Sequence, residues 1–260
     1  MKRLASILAL ILAALAAPAQ ARGLPQTGTP KGFVYLRDVD ATIAQDIRYA
    51  TANNFTGRPL PGYQAGECVL RSDVARALAR VEADLAKRNL GLKVYDCYRP
   101  ARAVRAMWRW SQDAKSDGNR RFYPRVPKRE LFTLGYIAAH SAHSTGTAVD
   151  LTLVARPAAP GAPSSAAAAN APCTAPAAQR ARDTSLDNAL DMGTGFDCLD
   201  TMSRTHSGAI SPEQTRRRDL LNAAMHAHGF HNYFREWWHF SYGAHPAREY
   251  DFPIVPRASP

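Results

Sequence analysis

Past residue 21 the sequence has no apolar run approaching the length of a membrane-spanning helix, so no transmembrane segment is expected beyond the leader. Cysteine is scarce. The only four, Cys68, Cys97, Cys173 and Cys198, follow no zinc-finger spacing, which disfavours thiolate ligation of a metal. No internal repeat is present, which excludes a solenoid or propeller. Acidic residues are outnumbered, 22 against 33 Lys and Arg, for a net charge of +11. That excess suits polyanions such as cell-wall polymers or phospholipid headgroups before nucleic acid, and equally a merely solubilising surface.

The first 21 residues have their own logic: Lys2 and Arg3, then an apolar run from Leu4 to Ala17 of Leu, Ile and Ala, then Ala19-Gln20-Ala21. A basic end, a short apolar stretch and an A-x-A site describe a secretory signal peptide cleaved after Ala21. No cysteine stands near that site, so a free, unlipidated, soluble product is expected, periplasmic or secreted, carrying a net charge of +9. In such a compartment cysteines pair. Of three connectivities, Cys68 with Cys97 and Cys173 with Cys198 is preferred because each closes a short local loop.

Residues 22–32 are rich in Gly, Pro and Thr and are read as a flexible lead-in to a single domain over 33–256. "SDVARALARVEADLAKRNLG" offers Ser72 as a cap, apolar residues at Val74, Leu78, Val81 and Leu85, and Gly91 at its end, which predicts a helix. "LKVYDCY" (92–98) predicts a strand and "ARAVRAMWRWSQ" a second helix. A third helix starts at Ser211-Pro212-Glu213-Gln214, where an N-cap, a first-turn proline and a capping-box Gln coincide, and it runs to Gly229. "HNYFREWWHFSYG" then returns as an aromatic strand. The expected class is α+β, a mixed or antiparallel sheet flanked by helices. An Ala/Pro/Ser-rich stretch at about 155–185 reads as an insertion loop.

The residues that carry chemistry fall in two places. In "HSAHSTGTAVDLTL" (140–153), Val149, Leu151 and Leu153 point into a core while Asp150 takes the opposite face, seven residues after His143. Such a His and Asp could share a metal ion, although a surface pair or a strand-end hydrogen bond would also account for them. In "EWWHF", Glu236 precedes His239 by three residues; the segment is either an aromatic core strand with an incidental His, or the third ligand with a proton acceptor beside it. In a regular strand these two would face opposite ways, so a shared site requires a bend or bulge between them.

The patterns S-x-H-x-x-G-x-A-x-D in "SAHSTGTAVD" and E-x-x-H in "EWWH" resemble those of zinc D-alanyl-D-alanine dipeptidases, the group that includes the enzymes of vancomycin resistance. "DIRYATANNFTGRPLPGY" (46–63), "DCYRPARAV" (96–104), "DMGTGFD" (191–197) and "EYDFPI" (249–254) are similar to the same family, in the same order. The resemblance implies one Zn2+ per chain on the sheet, ligated by His143, Asp150 and His239, with Glu236 as general base for a zinc-activated water. It implies Arg99 as the cation that stabilises the oxyanion, Asp197 as acceptor of the substrate ammonium, and Ser141 close to the substrate. Without it, Arg99 reads as a strand-end salt bridge and Asp197 as a turn cap. His140, His206 and His231 are read as surface or outer residues.

The implied reaction is hydrolysis of D-alanyl-D-alanine, and the signal peptide places it in cell-wall turnover or recycling rather than drug resistance, with association to peptidoglycan and not to nucleic acid. The alternatives are a D,D-carboxypeptidase of the same superfamily acting on peptidoglycan stem peptides, and a non-catalytic, zinc-stabilised wall-binding module. Asp197 separates the first, since a carboxypeptidase meets no free ammonium, and Glu236 the second, since a structural site needs no base. The leader, the insertion and the cysteines are departures that put substrate length, more than catalytic class, in question.

Overall fold

The computed structural model describes residues 29–157, 171–176, 189–243 and 248–257. The expected signal peptide, most of the lead-in and most of the insertion fall outside them. Within them one five-stranded sheet organises the domain, in the order β2 (Ala44–Gln45), β4 (Leu90–Asp96), β5 (Ala148–Ala155), β7 (His239–Tyr242), β6 (Phe230–Asn232). Only β2 runs parallel to its neighbour; the other pairings are antiparallel. A two-stranded ribbon of β1 (Phe33–Tyr35) and β3 (Val69–Arg71) lies apart. This is the mixed α+β architecture expected, and no helix among the described residues is long and apolar enough to cross a membrane.

Around the sheet stand α1 (Leu36–Val39), α2 (Ser72–Ala86), α3 (Ala101–Gln112) and α4 (Pro212–His226). The apolar positions of α2 are fully buried and pack on β4. Ser72 is not its cap: Arg71 occupies that position, no side chain caps the helix, and Ser72 is its first residue. The chain turns after α2 at Asn89, in the left-handed region at φ 56°. Gly91, expected to end the helix, instead belongs to β4, because Asn supplies the left-handed conformation two residues earlier. At α4 the Ser211 hydroxyl accepts from the Gln214 amide and the Gln214 side chain answers at Ser211, a closed capping box behind Pro212.

Two readings change. The aromatic segment is a hairpin, β6 then β7, and residues 233–238 link the two strands. Asn232 builds this link by donating to the carbonyls of both Glu236 and His239, each at 3.0 Å. The irregularity needed between Glu236 and His239 is therefore a whole connection rather than a bulge. Likewise β5 has no open face: Ala148 through Val154 are all buried, since β5 lies between β4 and β7 and is covered on both sides. Asp150 is thus a desolvated carboxylate, not an edge group.

The cysteines pair as Cys68–Cys97 and Cys173–Cys198, with Cα separations of 5.3 and 5.4 Å.

Candidate functional site

Three strands deliver three side chains to one place. Asp150 on β5 is the register partner of His239 on β7 and of Asp96 on β4. The β4–β5 register shifts by one residue between Val94 and Asp96, and this shift brings Asp96 directly opposite Asp150. His143 arrives from outside the sheet on a single 3-10 turn, Ala142–Thr145, that leads into β5. Gly146 ends that turn at φ 78°, and a Cβ there would collide with the Phe33 ring, so both backbone and space require glycine.

His143 Nε2, His239 Nδ1 and one Asp150 oxygen form a triangle with sides of 3.1, 3.2 and 3.0 Å. Ligand atoms at about 2.0–2.1 Å from a tetrahedral ion would stand about 3.3 Å apart, close to this triangle. The tautomers agree. His143 Nδ1 lies 2.7 Å from the Cys97 carbonyl; a carbonyl only accepts, so Nδ1 carries the hydrogen and Nε2 turns its lone pair into the triangle. Ser241 Oγ, 3.3 Å from His239 Nε2, can take the hydrogen of that nitrogen in the same way. Among the described residues this is the group of His and carboxylate donors that could hold a metal ion.

The other expected residues border the same cleft, of about 220 Å³: Ser141, Arg99, Asp197 and Glu236 all line it with the triangle. That is below the roughly 300–1,000 Å³ of sites for drug-sized ligands, so it suits a small substrate. Glu236 comes from the hairpin link and places a carboxylate oxygen 3.9 Å from His239 Nδ1. Arg99 Nη2 is 3.6 Å from Asp150, and the guanidinium lies over the Tyr49 ring at 4.8 Å. Asp197 takes a left-handed φ of 60° and accepts a 2.8 Å hydrogen bond from the Tyr49 hydroxyl. The Ser141 amide donates to Glu249 at 3.1 Å. The histidines set aside stay outside the triangle: His140 faces Glu249, His206 faces Asp219, and His231 packs on His226.

Desolvation governs the charges. Burial pushes the Glu236 carboxyl up to about 7 and that of Asp197 up to about 8. Burial works the same way on Asp150, but His143 and His239 outweigh it and hold its carboxyl below the usual carboxylate range. Burial opposes the charge on Arg99; Asp96, Tyr49, Tyr63 and Asp150 together outweigh that and keep the guanidinium above its ordinary range.

Asp96 is the residue the sequence reasoning missed. It is fully buried, accepts from Arg99 Nε at 2.9 Å and from the Tyr63 hydroxyl at 2.6 Å, and stands 3.4 Å from His143 Nδ1. Its signal was present: an acid three residues before Arg99 in "DCYRP", at the end of a strand. Tyr49 and Glu249 lie in the family-like segments "DIRYATANNFTGRPLPGY" and "EYDFPI" and bond to Asp197 and to the Ser141 amide.

Comparison with known proteins points the same way. The family model described as D-ala-D-ala dipeptidase, of the M15 peptidases, matches residues 29–159 and 155–258. A D-alanyl-D-alanine dipeptidase of Streptomyces coelicolor is 32% identical over 86% of this chain and 98% of its own length. One from Enterococcus faecium is 29% identical over 86% of this chain and 98% of its own. One from Escherichia coli is 31% identical over 75% of this chain and 76% of its own. With the matched regions running through every segment that lines the cleft, the chain belongs to the D-ala-D-ala dipeptidase family of M15 peptidases.

Proposed function

We propose that the protein is an exported zinc dipeptidase that hydrolyses D-alanyl-D-alanine to D-alanine, with His143, Asp150 and His239 as the metal ligands. The observation that carries this reading is the triangle of donor atoms, 3.0–3.2 Å on a side, with an acid and a guanidinium facing it. Bound there, zinc would supply Lewis acidity, polarising the scissile carbonyl and acidifying a water.

The chain's own residues do the rest. Glu236, buried and with its carboxyl pushed up to about 7, is suited to accept a proton near neutral pH and return it to the leaving amine. Arg99 is a fixed cation in a desolvated cleft, held by Asp96, and would stabilise negative charge on the substrate oxygen. Asp197 would receive the free ammonium; burial raises it to about 8, and an incoming cation supplies the counter-charge that ionises it. A pocket that pairs this ammonium discriminates against longer chains, whose amino end is an amide. The leader, the two disulfides and the peptide chemistry together support a periplasmic or secreted role in cell-wall turnover.

Glu236→Ala tests the mechanism: metal content should stay at the wild-type level while hydrolysis of D-alanyl-D-alanine falls by about 100-fold or more. Loss of metal together with activity, or activity that persists, would remove Glu236 from the role of base. A panel of L,L and D,D dipeptides and longer D-alanine-terminated peptides tests the substrate. Cleavage of a pentapeptide without dipeptide turnover would favour the carboxypeptidase instead.

A further inference from the structure

Each disulfide has one cysteine that lies against a different half of the cleft. Cys97 follows Asp96 and precedes Tyr98 and Arg99, and its carbonyl is the acceptor that fixes the His143 ring at 2.7 Å. The neighbouring backbone is tied to the same turn: the Arg99 amide donates to the His143 carbonyl at 3.2 Å, and Ser144 Oγ donates to the Arg99 carbonyl at 2.9 Å. Through its bond to Cys68 this segment is anchored to a residue whose amide is held by Gln45 of β2 and whose carbonyl is held by Leu36 of α1. Cys68 and Cys97 are both buried.

On the other side, Cys198 directly follows Asp197, the residue in left-handed backbone at φ 60°. Its partner Cys173 is itself fixed, its amide donating to the Arg121 carbonyl at 2.9 Å and its carbonyl accepting from Gly195 at 3.0 Å. Leu199, one residue further on, donates to Phe122 at 2.8 Å. Left-handed backbone is tolerated by Asp and Asn better than by other residues with a side chain, but still less readily than by glycine, so the fixed backbone on either side helps to hold Asp197 there.

We infer that the two disulfides are positioning elements with separate tasks: Cys68–Cys97 holds the metal half of the site through the Cys97 carbonyl on His143, and Cys173–Cys198 holds the ammonium half through the backbone of Asp197. The inference rests on the roles proposed above for His143 and Asp197. It accounts for both covalent links lying beside site residues rather than merely tying together distant loops. A link that only stabilised the fold would affect both halves alike.

The test compares the oxidised full chain with C68A/C97A and C173A/C198A, below the unfolding temperature of each. Affinity for Zn2+ alone is measured by chelator competition, coordination by the visible spectrum of the Co2+-loaded protein, and KM and kcat on D-alanyl-D-alanine. C68A/C97A should bind Zn2+ about 10–100-fold more weakly, as when a group that orients a metal ligand is lost, and should change the Co2+ spectrum. C173A/C198A should leave Zn2+ affinity and the Co2+ spectrum as in the wild type and raise KM about 5–30-fold. Equal effects of both pairs on both halves, or no effect, would overturn the division of tasks. If C68A/C97A fails to fold by circular dichroism, C68A/C97V fills the buried space without the link; failure of that pair too would make the bond a general staple and also overturn the proposal. Wild-type protein that binds no Zn2+, or D197N with unaltered KM, would instead refute the underlying assignment of the site.

Discussion

Replacing Asp96 with Asn removes one charge from the most enclosed part of the site while keeping the shape of the side chain. Arg99 then loses charge on the acceptor of bonds at 2.9 and 2.8 Å, and retains as carboxylate neighbour Asp150, at 3.6 Å. Removing one partner of a buried ion pair costs about 3–5 kcal/mol, because the remaining charge is left without compensation. Asn keeps an oxygen for the Tyr63 hydroxyl, and Asp150 compensates in part, so the lower end applies, about 3 kcal/mol. For a domain of this size that corresponds to a fall in Tm of about 6–12 °C. Urea unfolding of the oxidised protein, followed by tryptophan fluorescence with chelator present, measures the loss without the linkage that metal binding would add. Burial pushes the Asp96 carboxyl up, against the pull of Arg99 and His143. The refuting result is therefore physically specific: a loss below about 1 kcal/mol would mean that Asp96 is uncharged in the folded protein and that Arg99 is held by other groups.

Gly146→Ala should destabilise by about 2–5 kcal/mol, the sum of a left-handed alanine and an overpacked Phe33, and should weaken metal binding because the same turn carries His143; wild-type urea stability would contradict the contact. His143→Ala should bring metal content from one ion per chain to a small fraction of that, and full stoichiometry by atomic absorption would refute the ligand set. Asp251 accepts from the amide of Arg102 in the first turn of α3, at 2.7 Å, and from the side chains of Arg102 and Arg105. Burial opposes its charge, but these donors outweigh burial and set the carboxyl below its ordinary value. A carboxyl lowered on folding stabilises above its unfolded pKa of about 3.9 and loses that contribution as the pH falls through the folded value. Asp251→Asn should therefore cost about 1 kcal/mol from pH 5 to 8, with the difference from wild type closing below about pH 4; a gap that widens in acid would reverse the assignment.

Local chemistry written in consecutive residues was legible in part, since Ser72 and Gly91, expected to bound α2, are instead its first residue and a residue of β4. The span of α3 and the capping box of α4 follow from spacing and end signals, and both stand where expected. The residues of the donor triangle stand in two stretches that the sequence singles out, but spacing alone left a surface pair and an incidental His open, and it was the family resemblance that joined them. What was hidden depends on pairing between distant segments. Asp96 reaches Asp150 only because the β4–β5 register shifts by one residue just before it, and nothing in "KVYDCY" marks that shift. Glu236 and His239 share the cleft because Asn232 gathers their carbonyls into a hairpin link, a role set by partners four and seven residues away rather than by strand periodicity. Asp150 seemed to occupy an open face because alternation reports which residues face one core and is blind to a second covered face.

Charge balance, in the end, is the property that ties these hidden placements to function. Asp96, Asp150, Asp197 and Glu236 are gathered around one permanent cation, Arg99, and all are substantially removed from water. Such a set cannot be fully ionised without further positive charge. Burial accordingly pushes Asp197 and Glu236 up to about 8 and about 7, while Asp150, against two imidazoles, stays down. The carboxyl held below its ordinary range is the one in the donor triangle, and the three that burial raises, Asp96 included, lie outside it. On the roles proposed above, a divalent cation would meet Asp150 already charged, and a substrate ammonium would find in Asp197 a group that gains from its arrival. Glu236 keeps a proton affinity near neutrality, which suits the role of base proposed for it.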